Sequence, residues 1–397
     1  MLPESYHAEG SPAYKFHRRG GSHEQGSRRG RAYFRLAGES STCSRTSTLK
    51  KLARPGGPNG RQRRSTVRIR SSSTLSLLLL ALVFPLPATT AAHASSIANS
   101  LLEPVDADLT VGKADDAISR LSSSLAANPA DAEAHNLLCR VYYQEERWDD
   151  AIHECETAVR LMPQESEYHL WLGRAYGEKA DKIHSIRAYG LAKKVRDEFE
   201  RAVQLDGANV DALSDLGEFY TAAPGIVGGG KQKAQNVAQT LERYGPAQAH
   251  QLKGRLAEKD KNLTLAETEF KAAVETSNQS ADAWMALASF YSRHRQPDKM
   301  VEALHAGIDA DAKATKPHGA ALVDGASLLS RNNVEPQLAI QLLKLYLASP
   351  NKSAETPAFQ VHAQLSRLLE QQGDHEGAQQ QIAAAAALAR EYHPKIA

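Results

Sequence analysis

The feature that most constrains this chain is a repeat with a period of 34 residues. Pro129 and Pro163 lie 34 positions apart, and so do Ala117 and Ala151. A period of this length is typical of stacked helix pairs, because one pair cannot bury its own apolar face whereas a row of pairs can. Ala, Leu, Gln and Glu dominate after residue 95, which also favours helices. The sequence therefore predicts an all-α array of helix pairs.

One segment, 132–165, shows the repeat in full. Its small, aromatic and proline positions are Leu138, Cys139, Tyr142, Trp148, Ala151, Cys155, Ala158 and Pro163. This pattern resembles the tetratricopeptide repeat at nearly every characteristic position. Small residues let two helices approach each other, and the larger ones fill the gaps. Pro163 is expected to end the second helix and to lead into the next repeat.

The same pattern recurs over about 290 residues. The later copies include Leu172-Gly173 with Tyr176, Leu216-Gly217 with Tyr220, and Leu287-Ala288 with Tyr291; matching second helices carry Phe199, Ala238, Phe270 and Ala339. The resemblance implies an α-solenoid of about seven antiparallel helix pairs within residues 95–397, with a degraded pair at 97–127.

Two segments depart from the repeat length. Residues 179–190 carry ten extra positions, and residues 223–234 carry five extra positions. Both lie where the first helix of a repeat turns into the second, so both are expected on the same edge of the solenoid. Such insertions either mark a functional face or reflect drift in a tolerant loop.

The first 60 residues are rich in Gly, Ser, Arg and His and show no apolar periodicity. They cannot bury enough apolar surface to offset the entropy of ordering, so a disordered leader is predicted. Whether this leader is translated in the host stays open, because the targeting segment that follows it is unusually far from Met1.

Residues 61–94 have the three parts of a secretory signal peptide. Five arginines precede the apolar run 75–86, and Ala-His-Ala then precedes Ser95. The run is shorter than the ~20 residues that a helix needs to cross a bilayer. The pattern predicts cleavage between Ala94 and Ser95, export to the periplasm or the medium, and no stable membrane anchor.

Charge separates the leader from the rest of the chain. Residues 1–70 hold sixteen Lys and Arg against four Asp and Glu, whereas the remainder holds 32 basic and 42 acidic residues. An acidic body without a basic stripe argues against nucleic acid as a partner.

The resemblance also implies a concave groove lined by the first helix of each repeat. The corresponding positions here are Asn136, Arg140, Tyr143, Leu170, Arg174, Ser214, Glu218, Met285, Ser289 and Arg293. Arg140 and Arg174 lie 34 residues apart and are expected to stack on adjacent helices, where two guanidinium groups suit a partner's carboxylate. Alternatively, the groove is solvated and these arginines pair with Glu178 or Glu218.

Catalytic and cofactor motifs are weak in this sequence. Residues 225–231 match the first seven positions of a phosphate-binding loop, but Gln232 replaces the Ser or Thr that would bind Mg²⁺. Cys139 and Cys155 lie at packing positions of one repeat, where they either form a disulfide or act as small core residues. No spacing typical of a metal site or a nucleophile elbow occurs.

The preferred hypothesis is a non-catalytic exported scaffold that binds a protein or peptide in its groove and needs no cofactor. The alternative is a nucleotide-binding protein or enzyme that uses the loop 225–231. The identity of the partner and the oligomeric state stay open.

Overall fold

The computed structural model describes residues 104–183 and 187–393. These residues form consecutive helices and contain no β-strand; one isolated bridge pairs Ser353 with Thr356. The helices are α1 (104–111), α2 (Ala114–Ala127), α3 (Ala132–Gln144), α4 (Trp148–Leu161), α5 (Ser166–Lys182), α6 (Arg187–Leu205), α7 (Val210–Ala222), α8 (Lys231–Tyr244), α9 (Pro246–Lys259), α10 (Leu263–Thr276), α11 (Ala281–Arg293), α12 (Pro297–Ala312), α13 (Ala320–Asn332), α14 (Pro336–Ala348), α15 (Ala358–Gln371) and α16 (His375–Leu388). The all-α fold predicted from the period is confirmed.

Each odd-numbered helix packs against the even-numbered helix that follows it, giving seven complete hairpins from α3 to α16 with α1 and α2 before them. The count agrees with the predicted seven pairs plus a degraded pair at the N-terminal end. Pro163 follows the end of α4 at Leu161, as the sequence predicts.

Glycine within the first helices allows the hairpins to close. A Cβ at Gly173 would lie 2.5 Å from the Phe199 ring, and a Cβ at Gly254 would lie 2.9 Å from the Phe270 ring. In both hairpins an aromatic ring of the second helix therefore occupies the space that the side chain of any residue larger than glycine would need on the first helix.

Polar caps begin several first helices: Asp131 accepts a hydrogen bond from Ala134 N at 3.1 Å, and Asn209 accepts one from Ala212 N at 3.0 Å.

The two insertions lie on the same edge. The first lengthens α5 to 17 residues and α6 to 19, against 13 and 14 in α3 and α4. The second forms a 3₁₀ turn, Gly225–Val227, between α7 and α8. Arg196 on α6 joins them by donating a hydrogen bond to Val227 O at 3.2 Å.

The array closes end to end, which the sequence analysis does not predict. One apolar cluster combines residues of the first three helices with residues of the last two. Its members include Val105, Leu109, Leu121, Leu137, Val141, Phe359, Ala385 and Tyr392. The first and last hairpins therefore cover each other's apolar faces, so the stack is a ring and its terminal faces are not left to water.

Polar contacts also join the first and last hairpins, and we call the boundary between them the seam. Gln144 Nε2 donates to Ala354 O at 2.5 Å, and Arg390 Nε donates to Asp115 Oδ2 at 3.1 Å. Gly112, in the turn before α2, has a φ of 78°, and a Cβ there would lie 2.5 Å from Ala358 N. The seam thus requires glycine at position 112, because its φ is positive and because a side chain there would collide with the backbone of Ala358.

The predicted leader 1–60, the signal peptide 61–94 and its cleavage site lie outside the described residues. Within residues 104–183 and 187–393, none of the helices combines the length and hydropathy of a membrane span.

Candidate partner-binding interior

The first helices of the hairpins form the inner wall of the ring. Helices α3 and α5, α7 and α9, and α11 and α13 contact each other across neighbouring hairpins, in addition to the contacts within each hairpin. In a curved stack the inner elements are the closer ones, so the inward faces of these helices define the candidate site. All ten groove positions predicted from the sequence lie on α3, α5, α7 or α11.

Arg140 and Arg174 both contact one indole ring. The guanidinium carbon of Arg140 is 5.0 Å from the ring centroid of Trp171, and that of Arg174 is 4.8 Å from it. The ring is itself held by a hydrogen bond from Trp171 Nε1 to Glu167 Oε1 at 2.7 Å. The side chains of Arg140 and Arg174, on neighbouring first helices, therefore contact the same aromatic ring.

Arg174 is already neutralised by the protein. Its Nε donates to Asp215 Oδ2 at 2.7 Å, and Asp211 and Glu355 lie 3.9 and 3.8 Å from its terminal nitrogens. Asp215 is fully buried, so this ion pair is screened little by water. Three carboxylates of the chain therefore already surround Arg174.

Asn136 and Arg140 both have buried polar side-chain atoms that make no hydrogen bond within the described residues. Asn136 is 1% exposed, and neither its amide oxygen nor its amide nitrogen has a hydrogen-bond partner among the described residues. Burial raises the pKa of the neighbouring Glu133 carboxyl, and Tyr168, the charge of Arg140 and, most weakly, Asn136 oppose that shift. Asn136 therefore lies near this carboxyl, although no hydrogen bond of normal length joins the two side chains. The Nε of Arg140 is also buried without a partner. Buried polar groups of this kind lower the stability of the folded protein unless a hydrogen-bond partner satisfies them.

Tyr143 completes the aromatic part of this site. Its ring makes edge contacts with Trp148 and Trp171, with centroids 5.4 Å apart in both pairs. Burial, followed by the charge of Glu178, raises the pKa of Tyr143 well above its usual value, so the phenol is neutral at physiological pH. The site therefore offers an amide, a guanidinium group and a phenol beside two indoles.

Four of the predicted groove residues do not present side chains to a partner. Leu170 and Met285 are 1% and 3% exposed and belong to the apolar core, so their assignment to the groove surface is corrected. Ser214 Oγ donates to Val210 O in its own helix at 2.7 Å, and Ser289 Oγ accepts from Arg293 at 2.8 Å. Both hydroxyl groups are thus used locally.

Glu218 and Arg293 lie together in a second region, a cleft at the C-terminal ends of α7, α9 and α11. Arg293 holds Glu258 with two hydrogen bonds, from Nε at 3.0 Å and from an Nη at 2.8 Å. Burial alone would raise the pKa of Glu258, but Arg293, Arg255 and His294 together lower it. Glu258, which the sequence analysis does not single out, is the organising residue of this cleft.

The sequence analysis also missed a repeated histidine. His135, His169 and His250 occupy the same position of three first helices, and each contacts a glutamate of its own second helix. The Nδ1-to-carboxylate distances are 2.5, 2.6 and 2.8 Å respectively. The 34-residue spacing of His135 and His169 is the signal that could have revealed this contact within the hairpins.

The loop 225–231 does not have the geometry of a phosphate-binding loop. It joins two helices, whereas the phosphate-binding motif joins a strand to a helix. Gly229 N donates to Pro224 O at 3.2 Å and Gly230 N donates to Tyr220 O at 2.9 Å, so these amides are used within the turn. Lys231 pairs with Asp260 at 2.6 Å. The nucleotide-binding alternative is not favoured.

Cys139 and Cys155 form a disulfide that joins α3 to α4, with Cα atoms 5.3 Å apart. The sequence left open whether these cysteines form a disulfide or act as small core residues, and the structure contains the disulfide. The described part of the chain contains no group of His, Cys, Asp and Glu side chains arranged to hold a metal ion.

The fold and the inner wall define an α-solenoid scaffold built from two-helix repeats. Residues 109–174 match the family model described as tetratricopeptide repeat. This fold is that of protein-interaction scaffolds, whose members bind protein or peptide partners.

Several solved structures are similar to this chain. Yeast Tom70 is 20% identical, with a TM-score of 0.44, and the match covers 70% of this chain and 55% of Tom70, so it spans about half of that protein. A thermophilic tetratricopeptide-repeat protein from Thermus thermophilus is 18% identical over 48% of this chain and 97% of its own, with a TM-score of 0.41. A tetratricopeptide repeat protein from Parabacteroides merdae is 11% identical over 72% of this chain and 98% of its own, with a TM-score of 0.41. No curated protein sequence matches the chain.

Proposed function

We propose that this protein is a non-catalytic scaffold that binds a protein or peptide partner against the inner wall of its ring. The observation that carries the proposal is the pair of unsatisfied groups at Asn136 and Arg140, beside Tyr143 and Trp171. A buried amide without partners lowers stability, and such groups are retained where a ligand satisfies them. Amide and guanidinium groups beside aromatic rings suit the backbone and side chains of an extended peptide.

The test starts from partners that are crosslinked to the protein in its host and identified by mass spectrometry. Each purified partner is then titrated against the wild-type protein and two variants, Asn136→Leu and Arg140→Gln. We expect both variants to bind at least about tenfold more weakly, which corresponds to the loss of about 1.4 kcal/mol of binding free energy. Asn136→Leu should at the same time be as stable as the wild type or more so, because it removes the unsatisfied amide.

Arg160→Gln is the matched control, since Arg160 is exposed on α4, which is a second helix. Partners that bind all three variants as tightly as the wild type would contradict the proposal. If Arg160→Gln lowered the affinity as much as Arg140→Gln, the proposal would be contradicted as well, because the loss of any positive charge would then explain the weaker binding.

We also propose that the protein is exported, with the mature chain beginning at Ser95. The signal-peptide pattern of residues 61–94 supports this, and so does the Cys139–Cys155 disulfide, because disulfides persist mainly in oxidising compartments. N-terminal sequencing of the protein from its host should give Ser95 as the first residue, recovered from the periplasm or the medium. A chain that begins upstream of residue 75 and remains in the cytoplasm would contradict it.

A further inference from the structure

The cleft around Glu258 is rich in basic side chains. Its lining includes Arg255, Lys259, Arg293 and His294, and Arg331 lies close enough to Arg293 for their charges to interact. We call these five residues the basic cluster. It lies at the C-terminal ends of α9, α11 and α13, away from Asn136 and Arg140 on α3.

Contacts between neighbouring first helices fix the positions of the cluster. Lys259 Nζ on α9 donates a hydrogen bond to Thr221 O on α7. Arg293 on α11 holds Glu258 on α9, and Asn332 on α13 donates to Ser292 Oγ on α11 at 2.8 Å. The ends of four helices are thus connected in sequence, so the cluster is a built surface.

Arginine and lysine exceed glutamate by one residue in the lining of this cleft, where Arg255, Lys259 and Arg293 lie with Glu218 and Glu258. Arg255, Arg293 and His294 all contact the one carboxylate of Glu258. Arg331 has no carboxylate within 4 Å among the described residues, and its Nε donates only to Ser327 O of its own helix. Burial lowers the pKa of Arg331, and the charge of Arg293 lowers it further against the opposing charge of Asp324.

We infer that the basic cluster binds an acidic segment of the partner, with Arg331 receiving one of its carboxylates. This inference rests on the proposed function and names a second contact region for the same partner. Guanidinium groups form paired hydrogen bonds with carboxylates, and partly dehydrated surroundings strengthen such bonds. The occupant is therefore a peptide rich in Asp or Glu, in contrast to the basic leader of this chain.

The test titrates the purified protein with hexaglutamate, hexalysine and inorganic phosphate in separate experiments. We expect hexaglutamate to bind, its affinity to fall as salt rises, and hexalysine not to bind. Arg331→Gln should weaken hexaglutamate binding by about tenfold, and Arg160→Gln should leave it unchanged. Arg331 is the residue to replace, because Arg293→Gln would also remove a partner of Glu258.

Equal binding of hexalysine, or equal affinity of wild type and Arg331→Gln for hexaglutamate, would overturn the inference. Phosphate that competes as strongly as hexaglutamate would also overturn it, because the site would then belong to a small anion. A partner that depends on Asn136 and Arg140 but binds Arg331→Gln normally would refute the acidic contact and leave the proposed function intact.

Discussion

The side-chain amide of Gln360 donates a hydrogen bond to the backbone carbonyl of Gln144, although the two residues lie 216 positions apart in the chain. Gln144 ends α3 and Gln360 lies in the first turn of α15, so this contact joins the first part of the array to the last. The ring that results places the first helices around an interior.

The seam should depend on the absence of a side chain at residue 112. Gly112→Ala introduces a Cβ at a positive φ and against the backbone of Ala358, so we expect it to lower the free energy of unfolding by at least about 2 kcal/mol. Gly190→Ala is the matched control: Gly190 lies in α6 with open space around it, and alanine should stabilise that helix by up to about 1 kcal/mol. Chemical denaturation measures both changes, and equal effects would contradict the structure of the seam.

A buried carboxyl group should make stability depend on pH. Glu145 follows α3, and its side chain is 0% exposed. Burial, only partly opposed by Arg147, raises its pKa to about 7, and Asp115 and Glu391 add to the increase. Because the folded pKa is higher than the unfolded one, the folded state binds more protons between these values. The contribution of the Glu145 carboxyl group to the free energy of unfolding is therefore complete below pH 4.5 and is lost as pH rises towards 7.

Denaturation curves from about pH 4.5 to about pH 8 test this effect. The wild type should lose about 3 kcal/mol from Glu145 across that range, and Glu145→Gln should remove this part of the pH dependence. Glu146→Gln, at the exposed neighbouring position, should retain it. The same pH profile for wild type and Glu145→Gln would show that this carboxyl group does not titrate as described.

The buried ion pair of Arg174 and Asp215 should be costly to break from one side. Asp215→Asn removes the nearest carboxylate, at 2.7 Å, from the guanidinium group of Arg174, whereas Asp211 and Glu355 lie 3.9 and 3.8 Å away, so we expect a loss of about 3 kcal/mol of stability. The double variant Arg174→Met with Asp215→Leu should cost less than the sum of the two single changes. Additive costs in a double-mutant cycle would mean that the two residues do not interact.

The disulfide should stabilise the segment in which it lies. For the loop that Cys139 and Cys155 close, reduction is expected to lower the free energy of unfolding by about 3 kcal/mol. The measurement compares denaturation with and without reductant. The double variant Cys139→Ala with Cys155→Ala should not respond to reductant, whereas a wild type that also fails to respond would argue against the bond.

Local pattern was enough to predict the hairpins. The spacing of Leu138, Tyr142 and Ala151 reports contacts between residues close in the chain, and the same spacing recurs in later repeats. The end of α4 before Pro163 and the lengthened α5 and α6 follow from the same local reasoning.

The closure and the charge balance of the interior could not be predicted in this way. Closure depends on the small rotation accumulated between repeats, which no single repeat encodes, and Phe359 and Leu137 meet only as a result of it. Glu355 reaches Arg174 by the same route, so no local pattern indicates that this arginine is neutralised.

The distance between α2 and α16 tests the ring most directly. Spin labels on the introduced cysteines of a Cys43→Ser, Ser119→Cys, Ala387→Cys variant would report it by pulsed electron paramagnetic resonance, with the other native cysteines, Cys139 and Cys155, protected as a disulfide. Since the two helices are in contact, a short and narrow distribution is expected, consistent with packed helix axes about 8–10 Å apart. A broad distribution at distances comparable to the width of the whole array would contradict a closed ring.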